Sequence, residues 1–67
     1  MDYVEVHPVG NGFQFAFSPP RNEPAPFITN AAFIDPMLGE MGVRAIGPWE
    51  AATDDDGVAF QRALILG

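Results

Sequence analysis

Apolar and polar residues alternate with period two over Tyr3-Val4-Glu5-Val6-His7, and again over Phe13-Gln14-Phe15-Ala16-Phe17. That period is the signature of β-strands. Between the two runs lies Val9-Gly10-Asn11-Gly12, and Gly and Asn tolerate the positive φ that two-residue hairpin loops need. Residues 1–18 therefore predict a β-hairpin. A Gly10-Asn11 loop sets Val6 opposite Phe15 and Val4 opposite Phe17; an Asn11-Gly12 loop sets Val6 opposite Phe17. Either register gathers the Val and Phe side chains on one face and sends Glu5, His7 and Gln14 to the other. Pro8 has no N–H to give to a ladder, so it must turn its nitrogen away from the pairing or sit at a bulge.

Beyond the hairpin the pattern changes. Ser-Pro-Pro-Arg-Asn-Glu-Pro-Ala-Pro, residues 18–26, excludes helix and favours extended, polyproline-like chain. Residues 19–26 are read as a proline-rich extended arm, serving as a stiff connector or as a strap laid on a neighbouring subunit. Phe27-Ile28 and Phe33-Ile34 fit short strands or one helical turn, and Asp35-Pro36 favours a turn just after them. Gly39 and Gly42 break any long helix. Val43-Arg44-Ala45-Ile46 predicts a short strand that Gly47-Pro48 ends.

In the last third, Asp54-Asp55-Asp56-Gly57 reads as a turn, with Asp-Gly the usual hairpin pair. After it Val58, Phe60, Leu64 and Leu66 share one strand parity, with Arg62 the exception. A helix is the rival, capped at Asp54 and stopped at Gly67. Gly57 and Val58 early in the segment favour strand. The chain is thus expected to be mainly β: a small single domain of β-hairpins with a proline-rich extended arm. Residues 1–18 are its N-terminal hairpin, 19–26 the arm and 27–67 a β-rich segment.

Composition sharpens the functional question. A chain of 67 residues buries only roughly 60% of the surface its unfolded form exposes. Domains this small usually need disulfides, metals or oligomerisation. There is no Cys and one His, His7, so disulfides and thiolate metal sites are excluded and a His-based site has too few ligands. Association with a protein neighbour remains. Six Phe, one Trp and one Tyr are many for so small an interior, and aromatics are enriched at interfaces. The formal net charge is −6, with nine acids, three Arg and no Lys. Phosphate backbones are neutralised by Lys and Arg, so direct nucleic-acid binding is not expected, nor docking on anionic membranes. No apolar run approaches the ~20 residues of a membrane span. No basic-then-apolar leader opens the sequence, and cytoplasmic synthesis is expected.

Candidate chemistry is sparse. A nucleophile needs a base within hydrogen-bond reach. Ser18 is the only Ser and two prolines follow it; Thr29 and Thr53 have no evident base, and His7 reads as a surface strand residue. No catalytic, cofactor-binding or metal-ligating residue is assigned, and no cofactor is expected. The Asp triplet resembles part of a calcium loop, but no acid follows it to supply the bidentate ligand such loops need. A solvated hairpin turn explains it.

Residues 24–66 resemble the head decoration proteins of tailed bacteriophages, the family of the lambda capsid stabiliser. The shared features are a Pro- and Ala-containing lead-in, Glu23-Pro24-Ala25-Pro26; a short apolar segment, Phe27-Ile28; and a strand ending in an aromatic, Val43-Arg44-Ala45-Ile46-Gly47-Pro48-Trp49. A turn, Ala51-Ala52-Thr53-Asp54-Asp55-Asp56-Gly57, then leads to an Ala/Val/Ile/Leu strand, Val58-Ala59-Phe60-Gln61-Arg62-Ala63-Leu64-Ile65-Leu66. The front hairpin has no counterpart there. The resemblance implies a compact β-rich fold, often trimeric, on the outer surface of a virion, where it binds the major capsid protein and stabilises the head. Under that expectation the contact residues are Phe13, Phe15, Phe17, Pro24, Pro26, Phe27 and Trp49, with self-association into a homotrimer or other oligomer as a further partner. Two other readings stand beside it: a small acidic phage inhibitor that mimics DNA before a host enzyme, and a minor non-catalytic subunit of another complex.

Overall fold

Gly10 and Asn11 form the loop of the first hairpin. In the computed structural model, which describes residues 1–22 and 25–66, β1 (Tyr3–Val9) and β2 (Gly12–Ser18) pair antiparallel with Val4 opposite Phe17 and Val6 opposite Phe15. Gly10 takes φ +58° and Asn11 does not have positive φ. This is the loop type that places Gly first, and it selects between the two registers the sequence allows. Gly12 serves a different purpose. A Cβ there would lie 2.5 Å from the carbonyl oxygen of Ile28 and 2.6 Å from Cζ of Phe27. Only a bare backbone lets β3 (Phe27–Ile28) close on β2, where Ile28 faces Phe13 and Phe27 faces Gln14.

The end of the proline-rich segment is held on its own domain. The Phe15 N–H donates to the Pro26 carbonyl at 3.3 Å. The Gln14 side-chain amide donates to the Ala25 and Pro26 carbonyls at 2.7 and 3.2 Å. Arg21 stacks its guanidinium 4.6 Å from the centre of the Phe17 ring, a cation–π contact. Glu23 and Pro24 lie outside the described residues.

The turn expected at Asp35-Pro36 is instead the first turn of a helix. A 3-10 turn over Ala31–Phe33, whose Ala32 N–H is capped by the Asn30 side chain at 2.9 Å, runs into α1 (Ile34–Glu40). Pro36 is tolerated because the N–H groups of a first helical turn have no intrahelical acceptor. Ile34, Met37, Leu38 and Met41 recur at helical spacing, and Leu38 is buried while the others pack against the core. Gly42, at φ +71°, ends the helix.

The remaining strands are β4 (Arg44–Ala45), β5 (Glu50–Thr53) and β6 (Ala59–Leu66). Strand rather than helix thus follows Gly57. The sheet runs β3-β2-β1-β6-β4, with β5 also on β6. Gln61 and Arg62 pair with both β1 and β5, so these two strands flank β6. Ala45 faces Ile65, whereas Glu50 faces Arg62. Five residues therefore separate the two partners on one strand (45 to 50) and three on the other (65 to 62), and Gly47-Pro48 takes up the difference as a bulge.

One face of the sheet carries the core: Val4, Val6, Phe15, Ile28, Ala63 and Ile65, covered by Leu38 and Val43. The apolar parity read for the last strand falls on the other face. Phe60, Leu64 and Leu66 alternate with Ala63 and Ile65; the latter two enter the core cluster, and Phe60 is buried outside it. On this reverse face the His7 ring stacks on Phe60 at 4.3 Å, and His7 Nε2 lies 2.8 Å from Glu5 Oε1. Arg62 sits over the Tyr3 ring at 5.1 Å, between Glu5 on β1 and Glu50 on β5. Opposite charges thus alternate across three strands, the favourable cross-strand arrangement.

Candidate functional site

The pairing of β1 with β6 stops early. Their register ends at Val6 opposite Gln61, although β1 continues to Val9 and β6 begins at Ala59. Pro8 accounts for the stop. The loop register makes Val9 and Gly12 the closing pair, so alternate residues of β1 turn their backbone groups to β6. Asp2 does so, accepting from the Ile65 N–H at 3.0 Å, and Pro8 shares its parity. Its missing N–H removes the next ladder bond, and the two strands part. The reverse face of the gap is bridged by the His7–Phe60 stack. The core face stays open as a cleft of about 490 Å³.

Three elements wall this cleft. Val6, Pro8 and Phe13 come from the end of the first hairpin, and Ala59, Phe60 and Gln61 from the start of β6. Ala31, Ile34 and Asp35 come from the helix entry, and Trp49 completes the wall. Trp49 directly follows the bulge and packs against the core. Apolar groups dominate the lining, and among the described residues Asp35 is its only charged one. The volume lies within the range of about 300–1,000 Å³ usual for ligand pockets.

The expected contact residues separate in space. Phe13 and Trp49 meet in the cleft, both half-buried. Phe15 is 1% exposed and cannot touch a partner; it lies opposite Val6 and is core. The continuous Phe13/Phe15/Phe17 face expected at an interface is therefore divided: Phe17 sits half-buried at the far end of β2, under Arg21. Pro26 is tied to β2. Phe27 is 47% exposed but pairs with Gln14 and so belongs to the reverse face. Pro24 lies outside the described residues. Sequence reasoning missed Ile34 and Asp35, because Phe33-Ile34 fits a short strand or one helical turn equally and Asp35-Pro36 reads as a turn after it. The helical spacing of Ile34, Leu38 and Met41 was the signal that could have found them.

The acidic turn is a built feature of the second hairpin. The Asp54 carbonyl accepts from the Gly57 N–H at 3.0 Å and the Asp54 N–H donates to the Val58 carbonyl at 3.0 Å. One carboxylate oxygen of Asp54 accepts from the N–H groups of Asp56 and Val58, each at 2.9 Å. With Gly57 at φ +80°, this is a three-residue loop closed by a glycine bulge rather than a two-residue Asp-Gly turn. Among the described residues no three acidic or imidazole groups converge as a metal site, and no helix is long and apolar enough to cross a membrane.

No protein-family model, curated protein or solved structure matches the chain.

Proposed function

We propose that this protein is a non-catalytic assembly subunit, specifically a decoration or cement protein that binds the major capsid protein on the outer surface of a tailed-phage head and stabilises it. The observation that carries the docking part is the cleft: a wide apolar opening, walled by Trp49 and Phe13, on a very small domain. Buried aromatic anchors dominate binding energy at protein interfaces. Phe33 and Val58, 55% and 48% exposed, add apolar surface outside it. The decoration role itself is supported by the motif resemblance over residues 24–66. The acidic balance suits a soluble outer face and a basic shell. Synthesis in the host cytoplasm and residence on the virion follow from this role, with self-association on the shell as a further contact.

The test mixes purified chain with expanded, undecorated heads. Stoichiometric co-sedimentation and a gain in heat resistance are expected; heads that neither bind the chain nor gain resistance refute the decoration role. A second reading, an acidic inhibitor of a host nucleic-acid enzyme, is favoured by one feature, the exposed Asp55 and Asp56 at the hairpin tip. Changing Asp55 and Asp56 to Asn abolishes inhibition under that reading and leaves head binding intact under the first.

A further inference from the structure

The cleft is mainly apolar; among its described lining residues Gln61 is the neutral polar one and Asp35 the charged one, and the charge selects the partner. Among the described residues Asp35 is the only charged one in the lining, and it stands exposed in the first turn of α1. Between described residues no Arg pairs with Asp35; the one base–carboxylate contact there is His7 Nε2 to Glu5 Oε1. The chain has only three Arg and no Lys to offer as a partner. Arg62 and Arg21 are stacked on Tyr3 and Phe17, away from the cleft, and Arg44 belongs to β4, which does not line it.

We propose that the cleft receives a basic-apolar segment of a partner protein: an aromatic or large aliphatic side chain seated against Trp49, Phe13 and Ile34, with a nearby Arg or Lys paired to Asp35. This deepens the docking reading and rests on it. The two halves of the contact do different jobs. Apolar burial against three large side chains supplies most of the affinity. The rim pair is solvent-exposed, so its contribution is small; its role is choice of partner, since a net charge of −6 repels acidic segments and attracts basic ones.

The probe is the capped tripeptide acetyl-Trp-Gly-Arg-amide, titrated into the labelled full chain by heteronuclear NMR. Shifts are expected at the amides of Val6, Phe13 and Gln61 and at the Trp49 indole. Replacing the peptide's Arg by norleucine is expected to weaken binding about two- to fivefold, and by Glu further. In Asp35→Asn the Arg and norleucine peptides should bind alike, which isolates the pair as a double-mutant cycle. Shifts confined to residues outside the cleft overturn the proposal. So does an Asp35→Asn change that weakens both peptides equally, or concentration-dependent cleft shifts without peptide, which would seat a second copy there. Heads that bind the chain while the peptide leaves the cleft unmoved also overturn it, and the docking reading survives. Heads that do not bind, beside a peptide that does, remove the decoration role and support the recognition chemistry.

Discussion

Leu38 and Val43 are joined across the end of the helix: the Val43 N–H donates to the Leu38 carbonyl at 2.9 Å, and both side chains are buried in the core. With the Gly42 N–H donating to the Gly39 carbonyl at 3.1 Å, this is the Schellman termination, in which a left-handed glycine frees two carbonyls to be satisfied. The helix is thereby fixed to the strand that follows it, and the position of Ile34 and Asp35 in the cleft depends on that fixture. Gly42→Ala places a Cβ on a backbone at φ +71° and is expected to cost about 1–2 kcal/mol. Thermal melting should record it as a fall of roughly 4–8 °C per kcal/mol for a domain of this size. An unchanged midpoint would mean the termination contributes nothing to stability.

Gly12→Ala tests the close approach of β3. The added methyl meets a backbone carbonyl at 2.5 Å, an atom that cannot swing aside as a flexible side-chain end can. Overpacking of this kind costs about 1–3 kcal/mol. The expected result is loss of hydrogen-exchange protection at Ile28, with the β1–β2 pairing retained. Gly10→Ala, in open space, should be strained through its φ alone and leave Ile28 protected.

Much of this fold was legible because local and tertiary demands agree. Val4, Val6 and Phe15 alternate with polar residues, a turn of the right length joins their strands, and the core needs what the pattern offers. The helix was harder to see. Asp35-Pro36 and two glycines speak for turns, and only the apolar spacing of Ile34, Leu38 and Met41, satisfied by tertiary burial, outweighs them. The cleft was not legible at all. It arises where a ladder stops, and the stop depends on which edge of β1 the Pro8 nitrogen faces, a matter of register and of which strand lies alongside. Phe15 could not be told from Phe13 or Phe17 for the same reason: period two assigns a face, not the depth along it.

Asp54 is expected to be the structural member of its triplet. Its side chain accepts two backbone N–H groups, while Asp55 and Asp56 are exposed. Asp54→Ala leaves both N–H groups without that acceptor and should cost about 0.5–2 kcal/mol, the range for losing a side-chain cap of backbone N–H groups. Asp54→Asn keeps a carbonyl acceptor and should lose less. Asp55→Asn should be neutral within about 0.5 kcal/mol. Urea denaturation of the three variants separates these outcomes, and equal losses at Asp54 and Asp55 would show that the carboxylate contact is unimportant to the loop.

Trp49 and Phe15 should divide binding from stability. Removing a buried Phe side chain costs about 3–5 kcal/mol, and domains this small have little stability beyond that. Phe15→Ala is therefore expected to unfold the chain, and its loss of head binding would carry no information about contacts. Phe15→Leu keeps most of the apolar volume and should restore both folding and head binding, as expected of a residue that acts only through the core. Trp49 is half-buried on the cleft wall, so Trp49→Ala should retain a dispersed NMR spectrum while weakening head binding about tenfold or more, the loss expected of an aromatic anchor. A folded Phe15→Leu that fails to bind would put Phe15 back at the interface. A folded Trp49→Ala that binds at full strength would remove the cleft from it.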